Sequence, residues 1–171
     1  MILKGKIIKY NEKNINTDLI IPARFLTTSD HHHLGMHCME DLDSDFTTKI
    51  KKKGYSILMA SSNFGCGSSR EQAPIALKAA GIKCVIANSF ARIFFRNSIN
   101  IGLTVVEFNN IDEFHTNDEI EFDLRKGIIK NLSTNISYNI SALPDFIQDI
   151  IDVNGLIQYA KRRLEKIRRI S

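Results

Sequence analysis

Apolar runs and amphipathic stretches alternate regularly along the middle of the chain. Three short apolar runs are typical of buried parallel strands. They are YSILMA (55–60), KCVIAN (83–88) and LTVVEF (103–108). The stretch APIALKAAG after the first run predicts a helix that ends at Gly81, and SFARIFFRNSIN (89–100) after the second predicts another, with Ser89 as its cap. Strand, helix, strand, helix, strand predicts a βαβαβ unit with a parallel sheet.

The residues before this unit predict a strand followed by irregular chain. LKGKIIKY (3–10) reads as a strand, and NEKNINTD (11–18) is a polar loop rich in turn-forming Asn and Asp. LIIPARF (19–25) predicts an extended segment, in which Pro22 excludes a central position in a sheet.

Residues 27–53 predict a polar, helical excursion from the main fold. Leu34, Cys38 and Leu42 share one helical face, and Gly54 is a natural stop. The density of charged and small polar residues favours a mobile flap at about 25–53 over a core element.

The last third of the chain predicts antiparallel strands and then helices. EIEFDL and GIIKNL (119–124 and 127–132) flank a short turn, which is the signature of a hairpin, and TNISYNI (134–140) can add a third strand. Pro144 opens a helical region that is broken at Asn154-Gly155 and continues as a basic C-terminal helix at about 155–169. Residues 1–171 are therefore predicted to form a single α/β domain that mixes a parallel unit with antiparallel strands.

Composition narrows the class of protein. Leu, Ile, Val and Phe make up 53 of the 171 residues, which excludes a disordered chain. No apolar run approaches a membrane span, and the first twenty residues lack the apolar region of a signal peptide. The three cysteines are odd in number and far apart, which favours a reducing, cytoplasmic location over a disulfide framework or a self-contained metal site.

The positive charge is concentrated at one end of the chain. The formal net charge is +4, but residues 161–169 (KRRLEKIRR) alone carry +5, so the rest of the chain sums to −1. A basic last turn is also what the dipole of a C-terminal helix favours. The charge therefore gives little support to nucleic-acid binding, and no nucleic-acid or membrane partner is predicted.

The most informative stretch is Asn63–Pro74, NFGCGSSREQAP, between a buried strand and a helix. Open α/β sheets bind ligands at this position, and its glycines allow close backbone approach. Because Pro74 fits only in the first helical turn, the helix should begin near Glu71 or later, which leaves Ser68, Ser69 and Arg70 in the loop before it. Arg70 would supply a bidentate clamp for a carboxylate, but Ser68-x-x-Glu71 is also a capping-box pattern.

Two further groups of polar residues have structural as well as functional interpretations. Arg92 and Arg96 lie one turn apart on the second helix, where they could bind a carboxylate or pair with surface acids, while Ile93, Phe94 and Ile101 can face the sheet. His33 and His37 have the spacing of a helical metal pair, but there is no third ligand of evident spacing. Cys66 lies in the glycine loop without a nearby general base, so we do not predict a nucleophile there.

Three motifs in order resemble the swivelling β/β/α domain of the aconitase superfamily, and most closely the family of 3-isopropylmalate dehydratase small subunits. They are NTDLIIPAR (16–24), NFGCGSSRE (63–71) and SFARIFFRN (89–97). The resemblance extends from Lys4 to about Tyr159. It implies a hydro-lyase that isomerises 2-isopropylmalate and 3-isopropylmalate in leucine biosynthesis. It also implies a separate large subunit that carries a [4Fe–4S] cluster, with no metal bound by this chain.

The same resemblance implies roles for individual residues. Ser68 stands in the position of the general base, and Ser69 and Arg70 match the neighbours that hold the substrate, a small 2-hydroxy diacid. The segment after Pro22 begins the flap that contacts the variable side chain of the substrate. The implied binding residues there are Arg24, Thr27 and Thr28, and the implied supporting residues are Asp18, Gly65, Gly67 and Arg92.

The choice of substrate stays open at this stage. Many isopropylmalate enzymes resemble Tyr-Leu-Arg-Thr where this chain has Phe25-Leu26-Thr27-Thr28. The departure at Thr27 leaves citramalate, dimethylmalate or homoaconitate-type substrates as an alternative. An anion- or RNA-binding module that uses the glycine loop and the basic tail is a remote alternative.

Overall fold

The computed structural model describes residues 2–168 and contains one seven-stranded sheet. The strands are β1 (Ile2–Tyr10), β2 (Tyr55–Ala60), β3 (Cys84–Ala87), β4 (Thr104–Glu107), β5 (Glu119–Asp123), β6 (Ile128–Asn131) and β7 (Ile136–Asn139). Their order is β4-β3-β2-β1-β5-β6-β7. Strands β1 to β4 pair in parallel, and β5, β6 and β7 continue the sheet antiparallel from β1. The predicted βαβαβ unit and hairpin are confirmed.

Seven α-helices accompany this sheet within the described residues. They are α1 (Thr17–Ile20), α2 (His31–Met36), α3 (Phe46–Lys53), α4 (Gln72–Ala80), α5 (Arg92–Asn100), α6 (Asp145–Asp152) and α7 (Leu156–Arg168). Helix α4 begins one residue after Glu71 and ends at Gly81, as predicted. The prediction of a basic helix at 155–169 is confirmed through Arg168, and Arg169 lies outside the described residues. None of the helices between residues 2 and 168 has the length and apolar character that a membrane crossing requires.

Each face of the sheet buries its own apolar cluster. On one face, Leu58, Val85 and Phe94 belong to a core shared with the helices. On the other face, the second cluster runs from Val106 of β4 to Ile129 of β6 and consists mainly of strand residues. The rings of Phe108 and Tyr138 lie 5.7 Å apart although they come from opposite ends of the sheet. The sheet therefore curls, and its two halves cover each other.

Three local predictions are wrong. Residues 19–25 are not extended, because α1 continues to Ile20 and a short 3₁₀ helix spans Ala23–Phe25. Ser89 does not cap α5, since Ala91 occupies the cap position and the Ser89 hydroxyl accepts a hydrogen bond from the Asn63 backbone at 2.9 Å. Ile93 does not face the sheet but is 50% exposed, whereas Phe94 is buried.

The predicted flap is more deeply anchored than its polarity suggested. Leu34, Cys38 and Met39 are buried in the helix-side core, so the expectation that this segment lies outside the core is wrong. Tyr10 of β1 donates a hydrogen bond to Asp43 at 2.7 Å, and Lys49 of α3 contacts both oxygens of the same carboxylate. The mobility of the segment stays a prediction, as does the assignment of residues 1–171 to one domain.

Candidate functional site

The glycine loop is held at the carboxyl ends of the central strands. Gly65 donates a backbone hydrogen bond to the carbonyl of Ile15 at 2.8 Å, and Thr17 donates one to the carbonyl of Cys66 at 2.8 Å. On the other side, Phe64 forms a parallel bridge with Phe90, which follows β3. The loop therefore acts as a short extension of the sheet between the ends of β1 and β3. This is the position where open α/β sheets place their ligand sites.

Gly65 fixes the path of this loop over the core. Its φ is +76°, and an ideal Cβ there would lie 2.2 Å from Cγ of Phe94. The Phe94 ring packs at 5.2 Å against Phe64 in an edge-to-face arrangement. Gly67 lies beside α1, where a Cβ would be 3.4 Å from the hydroxyl of Thr17. A side chain at Gly65 would therefore push the loop away from α5.

Ser68 and Ser69 are exposed on the loop just before α4. The backbone carbonyl of Ser68 accepts hydrogen bonds from the Thr17 hydroxyl at 3.2 Å and from the Arg70 backbone at 2.9 Å. The alternative interpretation as a capping box is not supported, because Glu71 itself is the N-cap of α4 and no side-chain hydrogen bond caps this helix. The backbone of Ser68 is thus fixed while its side chain faces outward.

Arg70 is paired with a residue distant in sequence. Its Nη1 atom lies 2.5 Å from Oδ1 of Asp18 in α1. The Arg70 side chain is only 20% exposed, whereas that of Asp18 is 54% exposed. Since a guanidinium carries five N–H donors, Arg70 can hold Asp18 and a ligand carboxylate at the same time. The structure therefore brings Asp18 together with Ser68, Ser69, Arg70 and the two glycines.

Arg24 belongs to a different network from Arg70. It contacts the carboxylates of Asp41 at 2.5 and 2.8 Å and of Glu40 at 2.8 Å. Its guanidinium lies over the ring of Phe25, which stacks on His37 with the ring centres 3.8 Å apart. His37 in turn lies 2.7 Å from Glu40. Arg24 is thus held by the turn after α2, so its predicted contact with substrate stays a prediction.

The contacts of this network lower the pKa values of its two carboxylates, Glu40 and Asp41. The hydrogen bonds from Arg24 hold the pKa of Asp41 below its ordinary value. Burial acts to raise the pKa of Glu40, but hydrogen bonds with His37 and Arg24 outweigh it and the pKa is lowered. Both groups are therefore negatively charged at neutral pH, which keeps the arginine in place.

The remaining predicted site residues lie at the surface. Thr27 is exposed, and the hydroxyl of Thr28 accepts a hydrogen bond from the Asp30 backbone at 3.1 Å. Arg92 is exposed at the start of α5. Of the hydrogen bonds described within residues 2–168, none joins these three side chains to the loop at Ser68, so their roles stay predictions. Between residues 2 and 168, no group of three or more His, Cys, Asp or Glu side chains could hold a metal ion.

Sequence reasoning missed the contribution of Asn16 and Thr17. Asn16 caps α1 by accepting a hydrogen bond from the Leu19 backbone at 2.9 Å, and Thr17 is 2% exposed and holds the carbonyl of Ser68. Both residues lie in the stretch 11–18, whose composition predicts only a polar loop. The signal that could have found them is Asn followed by Thr-Asp and an apolar run, which is a helix-start pattern.

The chain matches a known family over most of its length. Residues 1–111 match the model of the aconitase C-terminal domain. The 3-isopropylmalate dehydratase small subunit of Caldicellulosiruptor saccharolyticus is 56% identical over 167 residues, which cover 97% of this chain and 95% of that protein. The chain belongs to this small-subunit family. A second member, from Clostridium botulinum, is 54% identical over 95% of this chain and 100% of its own length.

The fold agrees with that of a solved 3-isopropylmalate dehydratase chain. The crystal structure of 3-isopropylmalate dehydratase from Methanocaldococcus jannaschii superposes with a TM-score of 0.92 at 41% identity, covering 100% of both chains. The resemblance inferred from three motifs is therefore confirmed, as is the predicted α/β fold of the aconitase-type swivelling domain.

Proposed function

We propose that this chain is the small subunit of a hydro-lyase that interconverts 2-isopropylmalate and 3-isopropylmalate in leucine biosynthesis, acting in the cytoplasm together with a separate large subunit. The observation that carries the proposal is the 56% identity, over 97% of this chain, to a 3-isopropylmalate dehydratase small subunit. It is supported by an exposed Ser68 beside Arg70 at the strand ends. The comparisons favour isopropylmalate over the citramalate, dimethylmalate or homoaconitate alternatives, despite the threonine at position 27.

Ser68 is the proposed general base. Its alkoxide would take the proton from the carbon next to a substrate carboxylate while hydroxide leaves the neighbouring carbon, which yields the unsaturated diacid. Return of the proton and of hydroxide to the opposite carbons gives the isomer. A serine hydroxyl is a poor base in water, so its alkoxide needs nearby positive potential, and Arg70 and the amino end of α4 are the sources that support it here.

Ser69 and Arg70 are the proposed carboxylate-binding pair. Arg70 offers a planar set of donors whose orientation is held by Asp18, so its remaining N–H groups point in a defined direction. The negative charge of Asp18 also offsets part of the positive charge next to Ser68. A substrate carboxylate that binds Arg70 is therefore aligned by a preformed pair instead of by a mobile side chain.

The residues of this chain do not fit an iron–sulfur cluster. Cys38 and Cys84 are buried in the core, where burial raises the pKa of each thiol, and Cys66 lies in the glycine loop. This chain is therefore not proposed to supply the group that binds the departing hydroxide. The cluster that the family resemblance implies is proposed to belong to the large subunit, so each chain supplies part of the site.

The test is turnover of 3-isopropylmalate by this chain co-expressed anaerobically with its large subunit, followed through the unsaturated intermediate. Ser68→Ala should remove turnover and leave complex formation intact, while Ser62→Ala on the same connection serves as the control. Full activity of Ser68→Ala would overturn the assignment of the base. A higher rate with citramalate or homoaconitate in parallel assays would keep the chemistry and overturn the substrate.

A further inference from the structure

The C-terminal helix α7 exposes an apolar stripe to solvent. None of its thirteen described residues is buried. Ile157 is 70% exposed and Leu164 is 58% exposed, and their spacing of seven residues places them on one face. Most of the stability of a protein helix comes from packing its apolar face against something else. Helix α7 therefore presents to solvent the face that a surface helix normally buries.

The opposite face of α7 is the one turned toward the fold. A cleft of about 300 Å³ between α6 and α7 is lined by Asp149 and Asp152 from α6 and by basic residues of α7 that include Arg162 and Lys166. At 100° per residue, this basic face lies about 160° from the stripe of Ile157 and Leu164. The side of α7 opposite the stripe thus borders this cleft, and the apolar stripe faces away from it.

The stripe is continuous with the neighbourhood of the candidate site. A second open cleft, of about 420 Å³, is lined both by Ile157 and Gln158 of α7 and by Glu71 and Ile75 of α4. Glu71 directly follows Arg70 in the glycine loop. A partner that covers the exposed Ser68 can therefore extend along this cleft and reach the stripe without leaving the surface.

The charges beside the stripe indicate the chemistry of the partner. Lys161 and Arg168 lie on one flank of the stripe, at about 30–50° from its centre on the helical wheel. If two copies of this chain paired through the stripe, these cations would face one another, and like charges in a contact oppose pairing. An apolar groove with acidic residues along its rim would bury the apolar stripe and pair with the basic residues on its flank.

We propose that α7 docks through Ile157 and Leu164 into an acidic-rimmed apolar groove of the large subunit. This inference rests on the proposed function, because it takes the chain that completes the site at Ser68 as the occupant. The docking surface consists of the stripe, its basic flank and the cleft that leads to Glu71.

The test measures the Kd between this chain and the separately purified large subunit, and turnover at saturating small subunit. Ile157→Glu and Leu164→Glu should each weaken binding by about tenfold or more. Ile136→Glu is the matched control, because Ile136 is 50% exposed on β7 and the substitution is the same. Thermal unfolding of each variant checks that the fold is intact, and Leu164→Ala provides a milder change should the glutamate unwind the helix.

Salt and saturation separate docking from catalysis. The paired change Lys161→Glu and Arg168→Glu should weaken binding and flatten its dependence on salt. At saturating concentrations every stripe variant should recover the turnover of the unsubstituted complex, because no stripe residue touches the proposed active site.

Three results would overturn the docking proposal. The first is an unchanged Kd for both stripe variants and for Leu164→Ala. The second is stripe-dependent self-association of this chain in sedimentation, which would assign the stripe to a second copy. The third is stripe-dependent flotation with anionic vesicles together with an unchanged Kd. A complex that the stripe variants weaken but that does not turn over isopropylmalate would overturn the proposed function and leave the docking surface standing.

Discussion

Replacement of Gly65 by alanine tests whether the glycine loop is held where the structure places it. The added Cβ would lie 2.2 Å from Cγ and 2.5 Å from Cβ of Phe94, which real atoms cannot tolerate. Phe94 cannot easily yield, because it is only 2% exposed and its ring stacks parallel to that of Phe90 with the centres 6.1 Å apart. The loop or the helix must therefore move.

The expected loss of stability for Gly65→Ala has two parts. An L-residue at φ +76° costs about 1–2 kcal/mol in backbone strain. Forcing a methyl group into a packed site costs a further ~1–3 kcal/mol. The free energy of unfolding should therefore fall by about 2–5 kcal/mol, which for a chain of this size lowers Tm by roughly 4–20 °C.

Gly54→Ala is the control that separates the two parts. Gly54 has nearly the same φ, +71°, but no described heavy atom lies within 4 Å of an added Cβ. It should therefore lose only the backbone part, about 1–2 kcal/mol. Urea unfolding followed by circular dichroism measures both variants, and turnover with the large subunit should fall only for Gly65→Ala. Equal losses of stability in the two variants would refute the claim that Phe94 constrains the loop.

Four other substitutions test the charged contacts. Asp18→Asn should raise KM about tenfold by releasing Arg70, while stability changes by less than about 1 kcal/mol because the pair is partly exposed. Arg24→Ala and Asp41→Asn should raise KM to a similar extent, and the double variant should be no worse than either, which steady-state kinetics can check. Burial acts to raise the pKa of Asp43, but its hydrogen bonds outweigh burial and hold the pKa below its ordinary value. Asp43→Asn should therefore destabilise the fold by about 1–2 kcal/mol at pH 7, and the difference should shrink as pH falls below about 4 in urea titrations.

Local sequence signals predicted the elements whose boundaries depend on local chemistry. Pro74 and Gly81 set the limits of α4 because a proline fits the first helical turn and a glycine accepts the left-handed cap, here with φ +110°. The hairpin of β5 and β6 is likewise predicted from a local signal, the short turn between the two strands. Neither inference required knowledge of which residues meet across the fold.

The errors came from contacts between residues far apart in the chain. Ser89 has the right chemistry for a cap, but its hydroxyl is used by Asn63, 26 residues away. Arg70 pairs with Asp18, which is 52 residues away in the sequence, and Arg24 pairs with Asp41, which is 17 residues away. A guanidinium that can bind substrate and one that anchors a turn look identical in sequence. Only the partner distinguishes them, and periodicity does not reveal partners.

The flap shows how overall polarity can conceal a buried face. Residues 27–53 are rich in charge, which favoured a surface role, yet the one face that carries Leu34 and Cys38 is buried in the core. The amphipathic spacing had identified the correct side chains. The average polarity of residues 27–53 is what wrongly predicted that the segment lies outside the core.

The arrangement of the loop separates the residues that hold its backbone from the residues proposed to perform the chemistry. Gly65, Phe94 and Thr17 are buried and fix the backbone, whereas Ser68 and Ser69 are exposed. Removal of either hydroxyl should therefore leave the free energy of unfolding within about 0.5 kcal/mol. An alkoxide left in open water would also lose its proton-accepting role to solvent, so the proposed base requires a surface that excludes water. Since this chain leaves Ser68 exposed, the large subunit is the proposed source of that surface, and the proposed docking is what would cover the serine.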